Sequence, residues 1–404
     1  MTEPLPTARQ SQRFLLLYAL AWAGGSVAYV PFLTILLPVR VSLLAGDAAG
    51  VSWLAYIAFA GAIAASAAFI GFGYLSDITR RRKEWVWLGL VLSCGLLALF
   101  REAETLPALI AIIIAWQLAL NMMLAPLAAW AGDCVADAQM GSLGGLLAFA
   151  PGLGALAGAF VTLPGLASAD TRLVLVGALV ICCVVPVLLV TPPTKVSEPA
   201  VANEAARASS LGSPALAAEG RGAMRRMWFA RLAVQIAEAA LFSYLYFWFR
   251  SIDPEMGDNR TARVFSVVLI LSAPIALWAG RWADRTSRPF TPLVACAFVS
   301  AAGLIGMALA PTLPVAIATY AVFGFATSIF LALHSGQTLR VLPRSDRRGR
   351  DLGLFNLTNT VPSLIMPWFT LALVPQFGFA ALFLLFSALS LGAGLLLRPY
   401  ARQF

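Results

Sequence analysis

Long apolar runs almost free of charge recur along the whole of this 404-residue chain, and they decide most of what it can fold into. A helix needs roughly 20 apolar residues to cross the hydrocarbon core of a bilayer. Spans are predicted at about 14–38, 51–76, 85–100, 107–131, 141–163, 173–190, 227–249, 262–280, 291–310, 314–338, 353–374 and 377–397. Apolar residues make up 60% of the chain and charged ones only 12%, against about 25% charge in soluble domains. The first run, Phe14 to Val39, is too long for a signal peptide and is expected to remain as a span. The fold expected is an all-α membrane protein of twelve transmembrane helices in two pseudo-symmetric six-helix bundles. Residues 1–190 form the first bundle and 227–404 the second. Between them, 191–226 is rich in Pro, Ala, Ser and charge and reads as a cytoplasmic linker.

The net charge of +9 raises the question of nucleic-acid binding, but the basic residues stand in short loops between spans, where they set orientation. Sorted by twelve spans, 22 of the 28 Lys and Arg residues fall on the side of the termini, Arg80, Arg81, Arg82 and Lys83 among them. The other side holds Arg40, Arg101, Arg172, Arg250, Arg260 and Arg263. Both termini are therefore expected in the cytoplasm of a bacterial cell, with the chain in the inner membrane and no nucleic-acid partner. Cys94, Cys134, Cys182, Cys183 and Cys296 are odd in number, lack C-x-x-C spacing and read as small core hydrophobes.

The halves echo each other. Gly73-Tyr74-Leu75-Ser76-Asp77, followed by Arg80 to Lys83, has a counterpart in Gly280-Arg281-Trp282-Ala283-Asp284 with Arg285 and Arg288, 207 residues on. Gly144-Gly145-Leu146 returns as Gly353-Leu354 at the start of the fifth span of each half. Repeats of this size fit secondary transporters, whose site lies between the repeats. The Gly-x-x-x-Asp loop with its basic cluster resembles the signature between the second and third spans of the major facilitator superfamily. That resemblance implies a cytoplasmic gating latch made by Gly73, Asp77, Arg81 and Arg82 in one half, and by Gly280, Asp284, Arg285 and Arg288 in the other. Two positions depart from the pattern: Ile78 replaces the usual base, and Arg80 a usual glycine.

Four further stretches narrow the likeness: Pro31 to Pro38, Trp116-Gln117 with Asn121, Gly132-Asp133-Cys134-Val135, and Arg350 to Asn356 continuing to Asn359 and Pro362. They resemble glycoside-pentoside-hexuronide symporters and sucrose-type carriers. The implication is uptake of a sugar or glycoside with a cation, with Asn356 and Asn359 among the substrate contacts. Residues 51–76 and 107–131 contain no Asp or Glu, so the sodium site of the melibiose-type members is not expected.

Of nineteen acidic residues, Glu238 alone falls in the middle of a span. A carboxyl at that depth costs a few kcal/mol or more unless it faces protein or water, which makes it a candidate functional group. It fits a proton carrier with Arg231 and Gln235, on much the same helical face, as partners; a substrate contact and a helix-to-helix bond are the alternatives. Gln117 and Asn121, one turn apart, fit polyol binding or helix-to-helix bonding equally. Tyr18, Trp22 and Tyr29 in the first span and Tyr244 in the seventh are placed to stack on a ligand. Tyr246 and Trp248 read as an interfacial belt. Pro151, Gly152, Gly154 and Gly158 form a small-residue face read mainly as packing, although a similar motif marks antiporters of the superfamily. His334, the lone histidine, reads as satisfying a local hydrogen bond.

No Walker pattern, metal-ligand cluster or nucleophile–base motif stands in the sequence, so neither an enzyme nor a cofactor is expected. The function that fits is secondary transport by alternating access, proton-coupled, acting as a monomer on a small-molecule substrate. Import of a sugar or similar polar solute comes first and proton-coupled efflux of amphipathic compounds second; a larger natural product such as a peptide or siderophore is the third substrate. A channel, scramblase or transport-dead sensor would share the fold.

Overall fold

A computed structural model of the protein describes residues 10–135, 139, 143, 146, 147, 149–190, 214–286, 290–341 and 348–403. Among these, no strand occurs; the helices are α1 (Gln12–Pro31), α2 (Leu37–Thr79), α3 (Arg82–Leu99), α4 (Leu106–Cys134), α5 (Ala150–Val161), α6 (Ala169–Leu189), α7 (Pro214–Ile252), α8 (Asp258–Arg285), α9 (Thr291–Ala308), α10 (Leu313–Val341) and α11 (Arg348–Gln403). Among the described residues nine helical stretches are apolar and long enough to cross a membrane, and the shorter apolar Ala150–Val161 adds another segment. Two of the nine hold two spans each. Gly46 (φ 74°) interrupts α2, and Gly378 (φ 71°) interrupts α11. Glycine adopts that left-handed backbone without the clash a Cβ would make, so each glycine ends one span and lets the next begin. Twelve membrane segments result among the described residues, and large apolar side chains such as Ile70, Trp278 and Leu309 stay exposed, which suits lipid rather than water.

Local chemistry sets the helix starts. Ser11, Thr105 and Ser168 each accept a hydrogen bond from the backbone N–H three residues on, and capping of this kind satisfies donors that have no partner within the helix. Proline at the first turn of α4, α5 and α9 removes an N–H that would have gone unpaired. Between α1 and α2, Phe32–Leu36 forms a π turn directly after Pro31, and Thr34 Oγ1 donates to the Val30 carbonyl at 2.6 Å. The first span therefore continues past 38 to the break at Gly46, and α7 begins at Pro214, inside the stretch read as linker. Residues 191–213 of that stretch lie outside the described residues.

Two compact units are present. Unit 1 comprises Met1–Glu198 with Asp258–Ser266, and unit 2 comprises Pro199–Gly257 with Val267–Phe404. In unit 1, α1 packs on α5 and α6, α2 on α4, and α3 on α4 and α6. In unit 2, α7 packs on α10 and α11, and α9 on α10 and α11. Closest approach is governed by glycine in both: a Cβ on Gly89 of α3 would stand 2.4 Å from the Met123 backbone nitrogen of α4, and one on Gly303 of α9 would stand 2.8 Å from that of Phe323 on α10. Interior aromatic side chains fill each unit. Phe32 meets Phe100 and Trp116 edge-on, both at 4.8 Å, and Trp248 meets Phe383 edge-on at 4.9 Å.

Candidate functional site

The polar groups of unit 2 gather along one face of α7. At 1.5 Å per residue Glu238 stands about 18 Å from Arg250, close to the middle of a core about 30 Å thick. One turn earlier, Gln235 donates from Nε2 to Glu238 Oε2 at 3.3 Å. A further turn back, the Arg231 guanidinium donates to the Leu331 carbonyl of α10 at 3.4 Å and to Asn359 Oδ1 of α11 at 3.2 Å. Arg231 lies within electrostatic reach of Glu238 and of His334, and Glu238 within reach of Tyr320 on α10. Glu238 is half-buried and Asn359 is exposed. One carboxyl, one guanidinium and two amides from α7 and α11 thus stand together, with the Tyr320 phenol nearby. A helical-face argument places Arg231 beside Glu238 but not its grip on α10 and α11, which depends on helices about 100 residues away in sequence.

His334 is fully buried, with Nε2 3.0 Å from the Met227 carbonyl and its ring against Phe330. The tautomer protonated at Nε2 donates that bond, so the ring ties α10 to α7. Tyr244 is fully buried beside Thr370. Tyr246 and Trp248 are buried as well, Tyr246 beneath the Arg250 guanidinium and Trp248 between Phe249 and Phe383. The belt expected of those two residues is therefore corrected: their faces meet protein, not the lipid interface. The Asn356 side chain lies outside the described residues.

In unit 1, Asn121 Nδ2 donates to the Gln117 carbonyl at 2.8 Å and to its Oε1 at 3.3 Å, so the two amides of α4 bind each other. Gln117 faces Gly61 of α2, where a Cβ would meet its Nε2 at 3.7 Å. The Tyr18 hydroxyl donates to the Leu127 carbonyl at 2.6 Å and fastens α1 to α4. Trp22 is half-buried, and the Tyr29 hydroxyl stands 3.4 Å from Ser26 Oγ. Gly154 of α5 leaves room for the α1 backbone, since a Cβ there would stand 2.7 Å from the Ser26 carbonyl oxygen.

The basic loop of unit 1 joins three helix ends. Arg82 meets Asp77 at the end of α2 at 2.6 Å, Asp133 at the end of α4 at 2.9 Å, and the Ser76 hydroxyl at 2.6 Å. Lys83 donates to the Leu188 and Val190 carbonyls at the end of α6 and lies over the Trp130 ring. Arg81 is the exposed residue before α3, and Gly73 lies opposite Ala125 of α4. Asp133 joins this cluster although the loop motif, which ends at Lys83, does not include it. A lone acid ending the fourth span opposite four bases was the available signal. Arg80 takes a left-handed φ of 52°, the conformation that the glycine usual at this position would supply freely. At the opposite end of α6, Arg172 pairs with Asp258, the first residue of α8. Asn259 donates to the Ala159 carbonyl and the Thr162 hydroxyl, and Ser266 donates to the Ala155 carbonyl. Of the second basic loop, Arg285 is exposed and a Cβ on Gly280 would meet Leu333 at 3.2 Å. The Asp284 side chain and Arg288 lie outside the described residues.

Comparison with known proteins fits this architecture. A family model described as Major Facilitator Superfamily matches residues 227–403. Among solved structures, the chain is similar to the crystal structure of a bacterial homolog to the human lysosomal transporter Spinster, in an inward-facing and unoccupied conformation. The likeness covers 96% of this chain and 95% of that one, with a TM-score of 0.67 and 12% identity. No curated protein matches the sequence. Identity that low carries the fold and says nothing of what is moved. The chain is a multi-pass membrane protein with the fold of the major facilitator superfamily, and its C-terminal half matches the model of that family.

Proposed function

We propose that the protein is a secondary active transporter of the bacterial inner membrane, with cytoplasmic termini, that imports a small polar solute together with a proton bound at Glu238. The observation that carries this reading is the way Arg231 is held. Its guanidinium bonds to the Leu331 carbonyl and to Asn359, both neutral, while remaining within the field of Glu238. Arg231 can therefore stay in place while Glu238 gains or loses a proton, and the local charge switches between balanced and positive. A charge that changes at mid-depth is what couples a proton to the exposure of a site.

The amides favour a hydroxyl-rich solute, because they donate and accept at once. Likeness in the four sequence stretches supports a sugar, and the same likeness supports import. Burial of Tyr244, Tyr246 and Trp248 weighs against a site built for amphipathic efflux, which needs aromatic faces open to the ligand.

The test is flux into proteoliposomes carrying an imposed pH gradient, with radiolabelled mono- and disaccharides as probes. The wild type is expected to accumulate at least one of them above equilibrium, and a protonophore to abolish that. Glu238→Gln is expected to lose accumulation while keeping counterflow exchange. Unchanged uphill uptake in the variant removes Glu238 from coupling; wild-type liposomes that take up no saccharide remove the sugar class.

A further inference from the structure

We infer that the end of unit 2 formed by the start of α7 and the last turns of α11 carries a binding site for an anionic phospholipid of the cytoplasmic leaflet. The choice of leaflet rests on the orientation proposed above. The site is a cavity of about 350 Å³ lined by Gly222, Arg225, Arg226, Phe229 and Leu396. Among the described residues no acidic side chain lines it.

Depth places this cavity among headgroups. With Arg250 marking one edge of the apolar stretch of α7, Arg226 lies 24 residues back, about 36 Å along the axis. That distance exceeds a hydrocarbon core of about 30 Å and falls inside the 40–45 Å that includes the headgroups. One turn deeper the wall becomes apolar: Phe229 is 52% exposed and Leu396 is 38% exposed. Guanidinium groups above and an aromatic ring with a leucine below match a phosphodiester joined to acyl chains. A soluble anion would meet the arginines alone and make no use of Phe229 and Leu396. Open space lies beside Gly222, where a Cβ would meet nothing within 4 Å, so a larger side chain there has room to occupy the cavity.

Native mass spectrometry of the purified full-length chain tests this without any transport measurement, so its failure is separate from a failure of the transport reading. Phosphatidylglycerol is expected to bind more tightly than phosphatidylcholine of the same acyl chains. A basic side chain near an anionic membrane surface contributes about a fivefold factor, so the double variant Arg225→Ala with Arg226→Ala should weaken phosphatidylglycerol binding about thirtyfold. The corresponding double lysine variant should retain most of the binding. Gly222→Leu, which fills the cavity and alters no charge, should also weaken it, and glycerol phosphate should not displace the lipid. Equal affinity for the two lipids overturns the inference, as does unchanged binding by the double alanine variant or by Gly222→Leu. Displacement by glycerol phosphate also overturns it, because it identifies a site for soluble anions.

Discussion

Replacing Gly89 by alanine tests the packing of unit 1 on a scale that can be worked out beforehand. The added Cβ would stand 2.4 Å from the Met123 backbone nitrogen, 2.8 Å from the Ala119 carbonyl oxygen and 2.9 Å from the Met122 carbonyl carbon. All three are backbone atoms of α4, so no side chain can rotate out of the way. Ordinary contact distances near 3.5 Å require α3 and α4 to separate by about 1 Å, and overpacking of this kind costs about 1–3 kcal/mol. Gly95 on the same helix is the control, because a Cβ there meets nothing within 4 Å. Both substitutions gain the same helix propensity, at most about 1 kcal/mol, so the difference between them isolates the clash. At about 2–4 °C per kcal/mol for a unit of 150–250 residues, Gly89→Ala should melt about 2–12 °C below Gly95→Ala in detergent. The assay is thermal unfolding followed by tryptophan fluorescence. Equal midpoints, or a higher midpoint for Gly89→Ala, would refute the α3–α4 geometry.

Other substitutions reach the remaining parts of the structure. Arg80→Gly relieves a left-handed backbone worth about 1–2 kcal/mol and should raise the thermal midpoint. Arg82→Ala removes bonds to Asp77, Asp133 and Ser76 together, whereas Asp133→Asn removes the charge from one of them. Asp77 and Asp133 are 60% and 48% exposed, so Asp133→Asn should cost less than about 1 kcal/mol and shrink with added salt, while Arg82→Ala should cost more than Asp133→Asn in the same melts. His334→Phe leaves the Met227 carbonyl without its ring donor and should lower stability by about 1–3 kcal/mol. The pH at which uptake is half-maximal should stay where it was, since the ring ties α10 to α7 and carries no coupled proton in this reading.

Much of this fold was legible because a bilayer allows few solutions. Apolar runs of span length and a 207-residue echo lead directly to twelve helices in two sets. Boundaries were less legible. Nothing in local composition says that the first helix continues through Pro38 and Arg40 to Gly46, or that α7 starts thirteen residues before its apolar stretch. At the candidate site, the i to i+3 bond from Gln235 to Glu238 follows from helix periodicity alone. The bonds from Arg231 to Leu331 and Asn359, and from Arg82 to Asp133, join helices far apart in sequence, and no local pattern carries that information. Gln117 and Asn121 show the opposite limit: their i to i+4 spacing puts them on one helical face, while the mutual bond that occupies them depends on rotamers.

Accessibility of position 238 from each side of the membrane bears most directly on the claim that one mid-depth carboxyl is exposed alternately to both aqueous compartments. Glu238→Cys, made in a chain whose five native cysteines are replaced, can be treated with a membrane-impermeant maleimide in right-side-out and inside-out vesicles. Alternating access, as proposed, requires modification in both preparations, because the substitution removes only the carboxyl proposed to carry the proton. Modification from one side only, or from neither, would contradict it.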